Sequence, residues 1–215
     1  IEAARQLLGI AGEDRVITTD RFGSYNWWEA ERRQYCWAHL KREFKAMREN
    51  ADAIGARVGI TVLKLIRTMF KWWRKHKGGK MSHYLMAQKI QIRIMPKVRE
   101  ALEEGQNSAH DKSAGTCASL LRDWISLWTF TRYKGVEPTN NEAERPIRPA
   151  VMWRKRSGGT QNERGGQFVE RMLSCAATLK RRGVCVLAYL TALIQAAAAK
   201  LLSPNFLTFA PPNPL

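Results

Sequence analysis

Two carboxylates and a strip of cations are the residues in this chain whose types and spacing could do chemistry. The segment Thr139-Asn140-Asn141-Glu142-Ala143-Glu144-Arg145-Pro146-Ile147-Arg148-Pro149 runs on to Trp153-Arg154-Lys155-Arg156, so acidic side chains stand close in sequence to dense positive charge. Asparagine is a favoured N-cap, and Asn140 or Asn141 can open a helix that carries Glu142 and Glu144 in its first turn. Carboxylate beside cation suits a metal ion that faces a phosphate backbone. A plainer reading has the same spacing: Asn141 followed by Glu144 is a capping box, in which the Glu reaches back to the cap's N–H. Upstream, Asp20 ends the β-branched run Val16-Ile17-Thr18-Thr19, where a side chain can project from a sheet end; its plainer role is to start a turn. Two such carboxylates, brought together, could hold Mg²⁺. That ion takes oxygen ligands, and paired ions about 3.5–4 Å apart stabilise both oxygens of an in-line phosphoryl displacement.

The elements that must position these groups follow from periodicity. Ile1, Ala4, Leu7, Leu8 and Ala11 mark one helix face, which Gly12 closes. A strand over 16–19 leads to a turn at Arg21-Phe22-Gly23-Ser24 and a helical turn over 25–30. Tyr35-Cys36-Trp37 reads as a second short strand before a helix from His39 to Asn50. From Ala53 to Gly135 the pattern is helical, with an apolar run over 60–73, a break at Gly78-Gly79, a helix over 82–104 and a third over 116–130. Pro146 and Pro149 predict a bent helical element. A Gly-rich loop (Ser157-Gly158-Gly159-Thr160, then Gly165-Gly166) precedes helices over 167–181 and 184–202, and the proline-rich tail 203–215 is expected to run extended over a surface.

Composition narrows the class. Among 215 residues, 36 Lys and Arg against 19 Asp and Glu give a formal charge of +17, which points to a polyanion: nucleic acid first, an anionic membrane surface second. Cys36, Cys117, Cys175 and Cys185 form no CxxC pair and read as reduced thiols of a cytosolic protein. Cys36 and His39 are too few ligands for a structural zinc site; His39 reads instead as a substrate contact or as a group that orients a carboxylate. His76, His83 and His110 read as surface residues. Trp72-Trp73-Arg74-Lys75-His76-Lys77 could stack on a base, although a core-facing Trp at a solvated basic helix end is the preferred reading. The uncharged stretch 184–199 falls short of a bilayer span and is read as a buried core helix, so no membrane role is expected. The N-terminus has no signal-peptide pattern.

The motifs DRFGSY (20–25), CWAHLKREF (36–44), NNEAERPIRPAVMWRKRSGGT (140–160) and Gly166-Gln167-Phe168-Val169-Glu170-Arg171 resemble, in order and type, the catalytic region of transposases of the insertion sequence 66 family. The resemblance covers residues 16–198 and rests chiefly on the segment 140–160. It implies a DDE recombinase with an RNase H-like fold, here α/β, mostly helical and partial, in which three acids bind two Mg²⁺ ions, with Mn²⁺ as a substitute. Asp20 then matches the second acid and Glu144 the third, with Glu142 as the fallback. Arg145, Arg148, Arg154, Lys155 and Arg156 would bind transposon-end or target DNA.

The implied domains are a partial core at 1–52, a helical insertion at 53–135, the remaining core at 136–202 and the tail at 203–215. Only Glu2, Glu13 and Asp14 precede Asp20, and none follows a central-strand pattern, so the first acid is expected in a missing N-terminal part. The expected activity is metal-dependent strand cleavage and strand transfer in the bacterial cytoplasm, at the nucleoid, by a homo-oligomer assembled on DNA. This chain alone would be inactive, with exposed sheet edges. The alternative is a non-catalytic DNA-binding remnant of such a protein.

Overall fold

The computed structural model describes residues 2–9, 15–50 and 52–210. Gly12, Glu13, Asp14 and the end of the tail, on which sequence expectations fall, lie outside the described residues. The fold is mostly helical, with one small parallel sheet. The chain divides into two compact units, 1–142 and 143–215.

In the first unit, helix α1 (Glu2–Leu8) precedes strand β1 (Ile17–Thr19), two 3-10 turns (Gly23–Tyr25 and Ala30–Arg32) and strand β2 (Arg33–Tyr35). The strands pair in parallel, with Ile17 opposite Arg33, Thr18 opposite Gln34 and Thr19 opposite Tyr35. The second strand thus lies slightly upstream of the expected Tyr35-Cys36-Trp37, and Cys36 serves instead as the N-cap of α2 (Trp37–Arg48).

Against the expectation of exposed sheet edges, β2 has its outer side covered. The Gln34 amide donates to the Leu127 carbonyl at 3.0 Å and accepts from the Phe130 N–H at 2.8 Å, while the Thr129 hydroxyl donates to the Arg33 carbonyl at 2.8 Å. All three β2 residues are buried; the Thr129 hydroxyl satisfies a β2 carbonyl, and the Gln34 amide satisfies backbone groups of residues 127 and 130.

Helices α3 (Ala53–Lys77), α4 (His83–Arg93), α5 (Met95–Gly105), α6 (Asp111–Arg122) and α7 (Thr129–Arg132) complete this unit's helical body. Asp52 caps α3 by accepting from the Gly55 N–H at 2.6 Å, and Gly79, at φ +71°, turns the chain beyond its basic end. The helix expected over 82–104 is two helices, because Pro96 lacks a backbone donor and sits at the start of α5. The helix expected over 116–130 begins earlier, at Asp111, stops at Arg122 and gives way to a 3-10 turn at Trp124–Leu127.

The apolar core lies between these helices and β2, with Trp37, Leu40, Phe44, Ile66, Met86 and Leu102 almost wholly buried. Trp73 joins it, as the core reading of the Trp72-Trp73 pair requires. Each of the three histidines read as surface residues has a structural bond. His76 Nδ1 pairs with the Met81 carbonyl at 3.1 Å, His83 Nε2 with the Phe130 carbonyl at 3.0 Å, and His110 caps α6 through Nδ1.

The second unit holds most of α8 (Asn141–Ser157), then α9 (Glu163–Arg181) and α10 (Val186–Ala198). α8 is one helix that continues through Pro146 and Pro149, each of which withholds a single backbone donor. α9 starts before the expected Gln167: Asn162 accepts from the Gly165 N–H at 2.8 Å, so Gly165 and Gly166 belong to the helix and not to the preceding loop. α10 corrects the buried-helix expectation. Tyr189 is its one buried residue among those described, and Leu187 and Ile194 are largely exposed, because α9 and the tail cover only one side. No helix among the described residues is long and apolar enough to cross a membrane.

The tail is pinned by several bonds. Arg182 donates to the Phe206 and Phe209 carbonyls at 2.8 and 3.2 Å, and the Tyr189 hydroxyl donates to the Pro204 carbonyl at 2.9 Å.

Candidate functional site

Asp20 stands where β1 ends, as its sequence position predicts, and its surroundings are built by a residue that the sequence does not single out. Its Oδ1 accepts from the Phe22 N–H at 3.1 Å, the bond of a turn-starting Asp. Beneath it lies Arg33, the first residue of β2 and only 3% exposed.

The Arg33 guanidinium spends its donors on the turn. Nε donates to Thr19 Oγ1 at 2.9 Å, Nη1 to Asn26 Oδ1 at 3.0 Å, and Nη2 to the Asp20 carbonyl at 3.1 Å. It also lies over the Tyr35 ring, 4.7 Å from the centroid. Burial lowers its pKa, an effect opposed by Tyr35, Asp123, Asp20 and Tyr25. Burial likewise raises the Tyr35 phenol, which donates to Asp123 Oδ2 at 3.0 Å. Local sequence holds little sign of this cluster, since Arg32 and Arg33 read alike until the strand register sends one inward.

The residues leading into α8 are fixed at the same strand end. Thr18 Oγ1 donates to the Glu137 carbonyl at 3.1 Å, the Trp37 N–H donates to the Pro138 carbonyl at 2.9 Å, and the Asn140 N–H meets Cys36 Sγ at 3.5 Å. Glu137 also pairs with Lys77 at 2.6 Å, and that bond raises the lysine's pKa. Two elements of the motif, the CWAH turn and Asn140, thus meet in one place. His39 is the third residue of α2, half-buried, and Glu142 closes the first unit on the second residue of α8.

Glu144, Arg145, Arg148, Arg154, Lys155 and Arg156 follow along α8 in the second unit. Glu144 is half-buried and the five cations are exposed. At about 100° per residue, Arg148 and Lys155 fall within about 40° of Glu144 around the helix axis, whereas Arg154 and Arg156 are turned about 80–120° from it. One face of α8 therefore carries a carboxylate and two cations. The final turn carries Arg154, Lys155 and Arg156, which suits the negative end of the helix dipole as well as an anion.

The model of the Transposase IS66 family matches residues 2–168, more than half of the chain. The chain belongs to this family. The match takes in Asp20, the CWAH turn and all of α8, and it ends within α9. No curated protein and no solved structure matches the chain.

Among the described residues, no group of three or more His, Cys, Asp and Glu is placed to hold a metal ion. In chemical type, however, the carboxylates of Asp20 and Glu144 are the hard oxygen donors that Mg²⁺ takes, and Mg²⁺ commonly adds water and substrate phosphate to one or two carboxylates.

Proposed function

We propose that this chain supplies the second and third acids, Asp20 and Glu144, of a DDE-type DNA transposase, and that β1, β2 and α2 are part of an RNase H-like core. The anchoring of the run-in to α8 at the Asp20 end of β1 carries this reading. The Thr18 to Glu137 and Trp37 to Pro138 bonds tie together parts of the chain that the family motif keeps in order but far apart in sequence.

Asp20 and Glu144 would hold Mg²⁺, or Mn²⁺ in its stead. When bound, the ion supplies charge to a phosphodiester oxygen and acidity to an attacking hydroxyl. Arg33 keeps the Asp20 turn in place through the Asp20 carbonyl, and the Phe22 N–H holds the carboxylate itself through Oδ1. Arg148 and Lys155, on the Glu144 face of α8, orient DNA phosphates, with Arg145, Arg154 and Arg156 adding non-directional attraction. Glu142 is the substitute for Glu144, and His39 a substrate contact. The partner is DNA at transposon ends and target, bound by a homo-oligomer at the nucleoid.

The test is strand transfer by the full-length protein. Asp20→Ala and Glu144→Ala should each lose about 100-fold or more, the scale of removing a group that stabilises transition-state charge, with DNA affinity retained. Full activity in either variant refutes the assignment. A wild-type full-length protein that binds DNA but joins no strands points instead to a non-catalytic remnant.

A further inference from the structure

A cavity of the first unit, about 720 Å³, lies between α2 and α6, away from the cations of α8 in sequence. Arg21, Arg42, Lys112 and His110 line it, with Glu43 as its one carboxylate. Glu43 is already neutralised: Arg21 Nη1 donates to it at 2.6 Å, and Arg21 Nη2 donates to Ser119 Oγ at 2.9 Å, so this guanidinium is held rigidly at the rim.

Arg42 and Lys112 are exposed, and among the described residues neither has an ion-pair or hydrogen-bond partner. His110 uses Nδ1 to accept the Ser113 N–H at 3.3 Å, which places the ring proton on Nε2 as a donor. The floor is apolar, from Ala46 and Met47. The uncommitted cations Arg42 and Lys112 above an apolar floor match a sugar–phosphate chain: guanidinium and ammonium meet phosphate oxygens while deoxyribose covers the methyl and thioether groups. The volume exceeds what a single inorganic phosphate would fill, which favours a strand.

We propose that the α2–α6 cleft is a second DNA-backbone site, in addition to the cations of α8, gripping one strand through Arg42 and Lys112 beside the fixed Arg21–Glu43 pair. The site rests on the transposase reading and extends it, since Arg21 adjoins Asp20 in the chain and would lead a strand past the end of β1.

The experiment measures affinity of the full-length protein for a fluorescein-labelled random-sequence duplex across a salt series. Arg42→Ala/Lys112→Ala is compared with the charge-matched pair Arg93→Ala/Lys97→Ala on α4 and α5, all four being exposed side chains. Circular dichroism melts confirm that both variants fold. The cleft variant should lower the slope of log K against log salt by about two, at about 0.9 per phosphate, and weaken binding about tenfold at low salt; the control should keep the wild-type slope.

Equal loss in both pairs overturns the cleft, because net charge alone would then account for it. An unchanged slope in the cleft variant also overturns it, whereas a wild-type protein that binds no DNA overturns the transposase reading beneath it. Titration with inorganic phosphate, read at the His110 ring resonances, separates the ligand sources. Saturable shifts below about 1 mM, together with an unchanged DNA slope, would assign a free-oxyanion site and reject the strand.

Discussion

Arg33 Nη2 donates to the Asp20 carbonyl at 3.1 Å, so a buried cation of β2 holds the turn that presents the candidate catalytic acid of β1. The same guanidinium serves Thr19 and Asn26, so its removal strands several acceptors at once. Arg33→Met should therefore cost about 3 kcal/mol of stability, the scale of leaving buried partners unpaired. Arg33→Lys should recover only part of it, because one ammonium cannot reproduce the planar fork. Urea denaturation checks both; a lysine variant as stable as wild type would show that charge alone is needed.

α2 and α3 meet backbone to backbone at Gly59. A Cβ there would stand 2.6 Å from both the Phe44 carbonyl oxygen and the Arg48 nitrogen, atoms that no side-chain rotation can move. Gly59→Ala should cost about 2 kcal/mol or more through forced separation of the helices. Gly115, inside α6 with open space around it, gives the opposite result. Gly115→Ala should stabilise by about 0.5–1 kcal/mol, since only the helix-propensity and unfolded-state effects remain. Melting temperatures that move in the same direction for both would contradict the packing.

Cys117 lies fully buried, and burial raises its pKa to about 11. A thiol raised in the folded state keeps its proton longer there than in the unfolded chain, so its stabilisation is complete below the ordinary value near 9 and is lost as pH rises through about 11. Tyr35, raised by burial, adds a loss of the same sign. Stability should fall between about pH 9 and about pH 11, and Cys117→Ala, whatever its own packing cost, should make that fall shallower. A slope identical to wild type would exclude the thiol as a source. Labelling with a thiol reagent should reach exposed Cys185 first and Cys36 and Cys117 only on unfolding.

How far the sequence can be read differs from one element to the next. β1 and its terminal Asp20 are visible because β-branched residues before an Asp are a local signal, and the basic end of α3 is visible for a similar reason. Pro96 is equally local, yet a continuous helix over 82–104 gives it too little weight: the missing donor is enough to divide α4 from α5. What cannot be read is whatever depends on tertiary partners. The inward turn of Arg33, the Gln34 amide's bonds to residues 127 and 130, and the docking of 137–140 onto Thr18 and Trp37 pair residues about 90–120 positions apart or rest on strand register. The exposure of α10 belongs here too, since an apolar helix reads as core whether or not anything covers it.

Neutralising the cations of α8 should separate affinity from chemistry. All five are exposed, so each truncation spares the core, and each DNA phosphate left without its cation should lower the salt slope by about 0.9. Their directions differ: Arg148 and Lys155 share the Glu144 face within about 40°, whereas Arg154 and Arg156 lie about 80–120° from it. Arg148→Ala/Lys155→Ala should therefore reduce strand transfer by about tenfold or more at saturating DNA, because the phosphate beside the carboxylate loses its orientation. Arg154→Ala/Arg156→Ala should weaken binding by a similar factor while restoring near-normal transfer once DNA saturates. Equal defects at saturation would mean that α8 contributes charge without direction, and the role of Glu144 would then need support from its own substitution alone.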